Sequence, residues 1–150
     1  MANVDSTTLN KNVYMQAFGD SIVSDGVLAL AANPTAADVL RIQRIQAGTE
    51  VSAVLIANGD LDTNVSPEFV VSIGYAPVDS TDGPVAVADY FAAAGQTILQ
   101  AASDGKLYAK FAPITFDKDV YLTMTVGTDA ATFAAGSIYS RVIGKARGIK

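Results

Sequence analysis

Hydrophobic and polar residues alternate along much of this chain in short runs, the two-residue period of a strand that hides one face and shows the other. In "DVYLTMTVG", Val120, Leu122, Met124 and Val126 share one phase, and Tyr121, Thr123 and Thr125 share the other. "EFVVSIGYA" sets Phe69, Val71, Ile73 and Tyr75 against Val70, Ser72 and Gly74. "DVLRIQRIQ" opposes Leu40 and Ile42 to Arg41 and Gln43, less regularly. "EVSAVLIAN" is apolar in both phases, which predicts a central strand covered on both sides. "GSIYSRVIG", "GKLYAKFA", "VYMQAF" and "GVLALAA" are further strand candidates.

Clusters of Gly, Pro, Asn and Asp separate these runs: "ANPTAAD", "QAGTE", "NGDLDTNVSPE", "APVDSTDGPV", "SDG" and "FDKD". Short strands with such breaks predict an all-β sandwich, jelly-roll-like in its winding. One segment departs from the pattern. "VAVADYFAAAGQTILQAA" is rich in alanine, and it predicts one short inserted helix from Val87 to Gly95. Residues 13–150 read as a single sandwich domain, residues 1–12 as a flexible polar arm, and "GKARGIK" as a basic tail.

Composition narrows the function. A domain of 150 residues buries roughly 70% of the surface of its unfolded chain, so one core can hold it without metals or disulfides. The chain is 50% hydrophobic and only 17% charged, against roughly 25% charged in ordinary soluble domains. Much of the apolar content is alanine and valine, which suits close packing between sheets or between subunits. There is no cysteine, hence no disulfide, no thiolate metal site and no thiol nucleophile. A net charge of -5 gives no general attraction for nucleic acid. No apolar run is long enough to cross a bilayer as a helix. The polar start "MANVDSTTLNKN" lacks the pattern of a secretory signal.

"FGDSIVSDG" resembles the nucleophile block of the GDSL esterases, with Ser21 in the place of the nucleophile. A serine hydroxyl needs a base in reach, and the chain has no histidine. Lys106, Lys110, Lys118 and Lys145 are the bases left on paper, and no spacing marks any of them as a partner. Gly, Asp and Ser are turn formers, so "GDS" and "SDG" are expected to bend the chain beside a strand.

Asp60, Asp62 and Asn64 in "NGDLDTN" alternate like the start of a calcium loop, but Val65 and Val71 stand where that loop requires Gly and Glu. A polar turn between two strands is expected, with a looser oxygen-ligand site as the alternative. Asp79 and Asp82, an imaginable acid/base pair, lie in "APVDSTDGP", which has the marks of a surface loop. Asp117 and Asp119 flank Lys118 in a similar turn. Arg141 and "GKARGIK" make the C-terminal end locally basic. Neither a catalytic residue nor a cofactor or metal ligand is assigned.

One likeness spans most of the chain. Gly48, Thr49 and Val51, the run from Asp60 to Thr63, Gly74 and Tyr75, and the run from Asp117 to Leu122 carry it. Their order resembles that of the head decoration, or cement, proteins of tailed bacteriophages. The resemblance implies a β-sandwich, no enzymatic activity, and a homotrimer seated on the major capsid protein at the surface of a virion made in the host cytoplasm. A tail or head-completion protein would share the composition. A carbohydrate-binding sandwich is the other alternative, disfavoured by the absence of Trp and by Tyr75, Tyr121 and Tyr139 lying within strand patterns.

Overall fold

The computed structural model describes residues 1–6 and 21–148. Among them are ten strands: β1 (Asn3–Asp5), β2 (Ser21–Leu30), β3 (Val39–Ile45), β4 (Thr49–Asn58), β5 (Val70–Pro77), β6 (Val87–Gln96), β7 (Ser103–Tyr108), β8 (Ile114–Thr115), β9 (Val120–Thr128) and β10 (Gly136–Ala146). They form two sheets. Sheet A has the order β1-β3-β9-β5-β6, and sheet B has the order β2-β10-β4-β7, with β8 also on β4. Apart from the short β1 and β8, successive strands change sheet at every step except the β5–β6 hairpin, which is the winding of a jelly roll. The all-β sandwich read from the pattern is the observed fold.

The core lies between the sheets. Leu28, Val54, Ile56 and Ile138 of sheet B face Leu40, Ile42, Ile73, Leu122 and Met124 of sheet A, and none of them is exposed. Burying each such side chain contributes roughly 1.5–3 kcal/mol. The phases assigned to β9 and β5 hold: Val120, Leu122, Met124 and Val126 point inward, as do Phe69, Val71, Ile73 and Tyr75.

Four local expectations are corrected. Val87–Gly95 is strand, part of β6, and the helical piece among the described residues is a single 3-10 turn at Ile98–Gln100. Ring packing overrides the helical preference of the alanines. Tyr90 and Phe91 stack edge-on at centroid distances of 5.5 Å for Tyr75–Tyr90 and 4.9 Å for Phe91–Phe111, and backbone pairing to β5 holds the segment extended.

"SDG" is not a turn. Ser24, Asp25 and Gly26 lie in the middle of β2, paired with Val142, Arg141 and Ser140 of β10. The glycine serves a close approach, since a Cβ there would stand 2.6 Å from Gln43 Cβ. Gln43 itself points inward rather than outward. A bulge between Arg41 and Gln43 breaks the alternation of β3, and the Gln43 amide donates to the Ser24 carbonyl and accepts from the Ser140 hydroxyl at 2.6 Å. Finally, β4 is central in its sheet but covered on one side only: Ser52 is exposed, and Leu55 and Ala57 are half-buried.

Within the segment read as an arm, Asn3–Asp5 runs parallel to β3, Ala2 donates its backbone N–H to Asp38, and the Ser6 hydroxyl donates to the Val27 carbonyl. Residues 7–12 of that segment, the strand expected at "VYMQAF", and Gly19 and Asp20 of the "GDS" run lie outside the described residues.

Candidate functional site

The side chains considered for chemistry fall in three separate places. Ser21 opens β2, exposed on the outer face of sheet B. Its neighbour across the ladder is Lys145, one of the bases considered for it, and no hydrogen bond joins the two side chains. Lys106 and Lys110 are on the far edge of that sheet, and Lys118 is paired with Asp82 at 2.7 Å.

The second place is a depression of about 540 Å3 lined by Arg44, Asp79, Asp82, Asp117, Lys118 and Asp119. The fold therefore brings both loop carboxylate pairs together at one end of the sandwich. Asp79 is held below its ordinary pKa, first by the Thr81 hydroxyl and then by the Thr81 N–H. Lys118 is raised, chiefly by its hydrogen bond to Asp82. Arg44 pairs with Asp119, whose other oxygen accepts the Ala47 N–H at 2.7 Å. The pairings of Arg44 with Asp119 and of Lys118 with Asp82, with the Ala47 N–H on Asp119, tie three loops together.

The third place is the "NGDLDTN" turn. Asp60, Asp62 and Asn64 each accept the N–H two residues on, making three successive Asx turns. Asp62 goes further. It is 1% exposed, and its carboxylate accepts N–H groups from Glu68 at 2.8 Å, Phe69 at 3.1 Å, Ala131 at 3.1 Å and Thr132 at 2.9 Å. Burial alone would raise its pKa. The donors from Thr132, Glu68, Ala131 and Phe69 outweigh burial and bring it down to about 2. With its oxygens filled by N–H groups, Asp62 fastens the β4–β5 crossing to the β9–β10 crossing. It is a structural latch, and no cluster of acidic residues suited to a metal ion occurs among the described residues.

What the fold presents outward is an apolar sheet face. On sheet B, Val23 is 60% exposed, Leu107 55% and Tyr139 52%, and Val27, Leu55 and Ile143 are half-buried beside them. The ladder places them in rows: Val27 beside Tyr139, Val23 beside Ile143, and Asp25, Arg141, Leu55 and Leu107 in one line across four strands. Arg141 and Asp25 form a bidentate ion pair at 2.7 and 3.0 Å in the middle of this face. That hydrogen bonding, with the cation's charge, lowers the Asp25 pKa. Aliphatic side chains around a tyrosine and an arginine are the composition of an interface centre. The sequence carries a signal for this face that the pattern reading turned the wrong way. Strands apolar in both phases, such as "EVSAVLIAN", read as covered on both sides, whereas here the second phase is the open one.

Neither a protein-family model nor a curated protein sequence matches the chain. Solved structures do. One is a chain of the capsid of Ralstonia phage GP4, with a TM-score of 0.76 and 16% identity over 99% of both chains. Another is a chain of the cyanophage Pam1 capsid asymmetric unit, with a TM-score of 0.69 and 25% identity over 93% of this chain and 97% of that one. The protein is thus similar, over nearly its whole length, to chains found in two phage capsids.

Proposed function

We propose that this chain is a structural, non-enzymatic protein of a phage virion, and that it decorates the outside of the head as a homotrimer bound to the major capsid protein. The observation that carries the reading is the likeness to the cyanophage Pam1 capsid chain, which extends over 93% of this chain at 25% identity. The open face of sheet B supports it, because exposed aliphatic side chains grouped around a tyrosine and an arginine are the composition of a surface that another protein covers. The three sets of residues weighed for chemistry support it as well, since each is engaged in ion pairs and turns or, like Ser21, has no base hydrogen-bonded to it among the described residues.

A homotrimer matches the three-fold and quasi-three-fold positions of an icosahedral shell, where three subunits present equivalent surfaces. A protein that binds only the assembled shell stabilises it by mass action. Each trimer touches several subunits at once, so individually weak contacts add up to firm attachment. Sedimentation of the purified protein should give a trimer mass, and particles lacking it should release their DNA at lower temperature than complete ones. A monomer whose omission leaves particle stability unchanged would overturn the cement reading.

A further inference from the structure

Sheet A ends at β6 and sheet B ends at β7, and these two edges flank an open groove of about 590 Å3 at one side of the sandwich. Tyr90, Phe91, Gln96, Lys106, Tyr108 and Lys110 line it. Three features of this groove point the same way. The first is the β6 edge, a ten-residue strand with no strand on its outer side among the described residues. An open edge is a row of unpaired N–H and C=O groups able to accept another strand. Ala92, Ala93 and Ala94 keep the side chains along it small, and the Ala93 carbonyl accepts the Gln96 side-chain amide at 3.0 Å. The second is the aromatic lining, since Tyr90, Phe91 and Tyr108 wall the groove.

The third is charge. The four arginines are ion-paired, with Asp5, Asp119, Asp25 and Glu50, and Lys118 is paired with Asp82. The described lysines left without an ion pair are Lys106, Lys110 and Lys145, and two of these line the groove. The Lys106 ammonium lies 5.1 Å from the centre of the Tyr108 ring, and Asp89 is the carboxylate on the opposite wall. In a protein of net charge -5, this groove is a locally cationic, aromatic-lined slot beside an open strand edge.

We infer that the groove takes up an extended, acidic segment of a neighbouring virion protein, which pairs as an added strand with β6 and sets carboxylates against Lys106 and Lys110. The inference rests on the virion reading above. Acylation of lysines in the free protein and in purified particles, read by mass spectrometry, tests it. Lys106 and Lys110 should lose at least tenfold in reactivity on particles. Carbodiimide should couple them to Asp or Glu side chains in one extended segment of another virion protein. The double charge reversal K106E/K110E should lower retention on particles at least tenfold, whereas K118E, outside both this groove and the outer face of sheet B, should leave it unchanged. Unaltered reactivity of Lys106 and Lys110 on particles that contain the protein would overturn the inference and leave the virion reading standing. Coupling to another copy of this chain would overturn it, and so would protection that a free oligosaccharide abolishes. Absence of the protein from purified particles would remove the virion reading and this inference together.

Discussion

The outer faces of the two sheets have opposite fates. On sheet A, the polar-phase residues in the middle of β5 and β9 are themselves covered. Thr123 is 1% exposed, Ser72 and Tyr121 are nearly as hidden, and the Arg41 guanidinium lies 4.9 Å from the centre of the Tyr121 ring. At Gly74 the backbone of Val87 and Ala88 closes down on β5 through the irregular β5–β6 pairing, so that no Cβ fits there. On sheet B, the corresponding phase carries Val23, Leu55, Leu107, Tyr139 and Ile143 toward solvent. The middle of the outer face of sheet A is therefore closed within the chain, and the outer face of sheet B is open to solvent. Alternation tells which side chains share a face. It does not tell what covers that face.

The largest effect should come from breaking the closure over sheet A. Gly74→Val puts side-chain carbon where the Val87 carbonyl stands, and it should cost about 4 kcal/mol or more, or prevent folding. Chemical denaturation of the variant checks this. Leu122→Ala, on the inward face of β9, should cost about 3–5 kcal/mol through lost burial and a residual cavity. The same measurement on Thr123→Ala should read about 1–2 kcal/mol, because that site is also covered. A near-zero value would mean that the outer face of sheet A is not closed.

Asp62 belongs to neither face, since it joins two crossings between the sheets. Asp62→Ala should cost roughly 3 kcal/mol, because it leaves the N–H groups of Asn64, Glu68, Phe69, Ala131 and Thr132 without their acceptor. Its pKa is depressed to about 2 from an ordinary 3.8. The stabilisation it provides is therefore complete above the ordinary carboxylate pKa and is lost as pH falls from about 4 toward 2. Stability measured across that window should fall more steeply in the parent than in Asp62→Asn. Equal slopes would show that the latch is not ionised. The smallest effect on the free chain belongs to the open face. Tyr139→Ala and Leu107→Ser should each change its stability by about 0.5 kcal/mol or less, yet weaken attachment to particles. A large loss of stability in the free protein would show that this face is already covered within the chain.

Much of the fold was legible because β5 and β9 alternate cleanly, and their inward sets are the inward sets observed. The failures share a cause, contacts between residues distant in sequence. Ser24, Asp25 and Gly26 have turn chemistry, but Arg141, Ser140 and Gln43 give each of them a place within or beneath a strand. Val87–Gly95 has the composition of a helix until its rings meet Tyr75. The turn at Asp60–Asn64 was foreseen as polar. The burial of Asp62 was not, because its donors Ala131 and Thr132 come from a loop some 70 residues away. The groove between β6 and β7 was hidden for the same reason, since only the winding of the jelly roll brings those two edges side by side.

The account stands or falls on where this protein sits in a particle. An electron cryo-microscopy comparison of complete particles with particles lacking it is the direct measurement. The predicted result is difference density shaped like this two-sheet sandwich, on the outer surface of the head, in groups of three around three-fold and quasi-three-fold positions, with the open face of sheet B covered. Difference density at the tail or on the inner surface, or none at all, would contradict it.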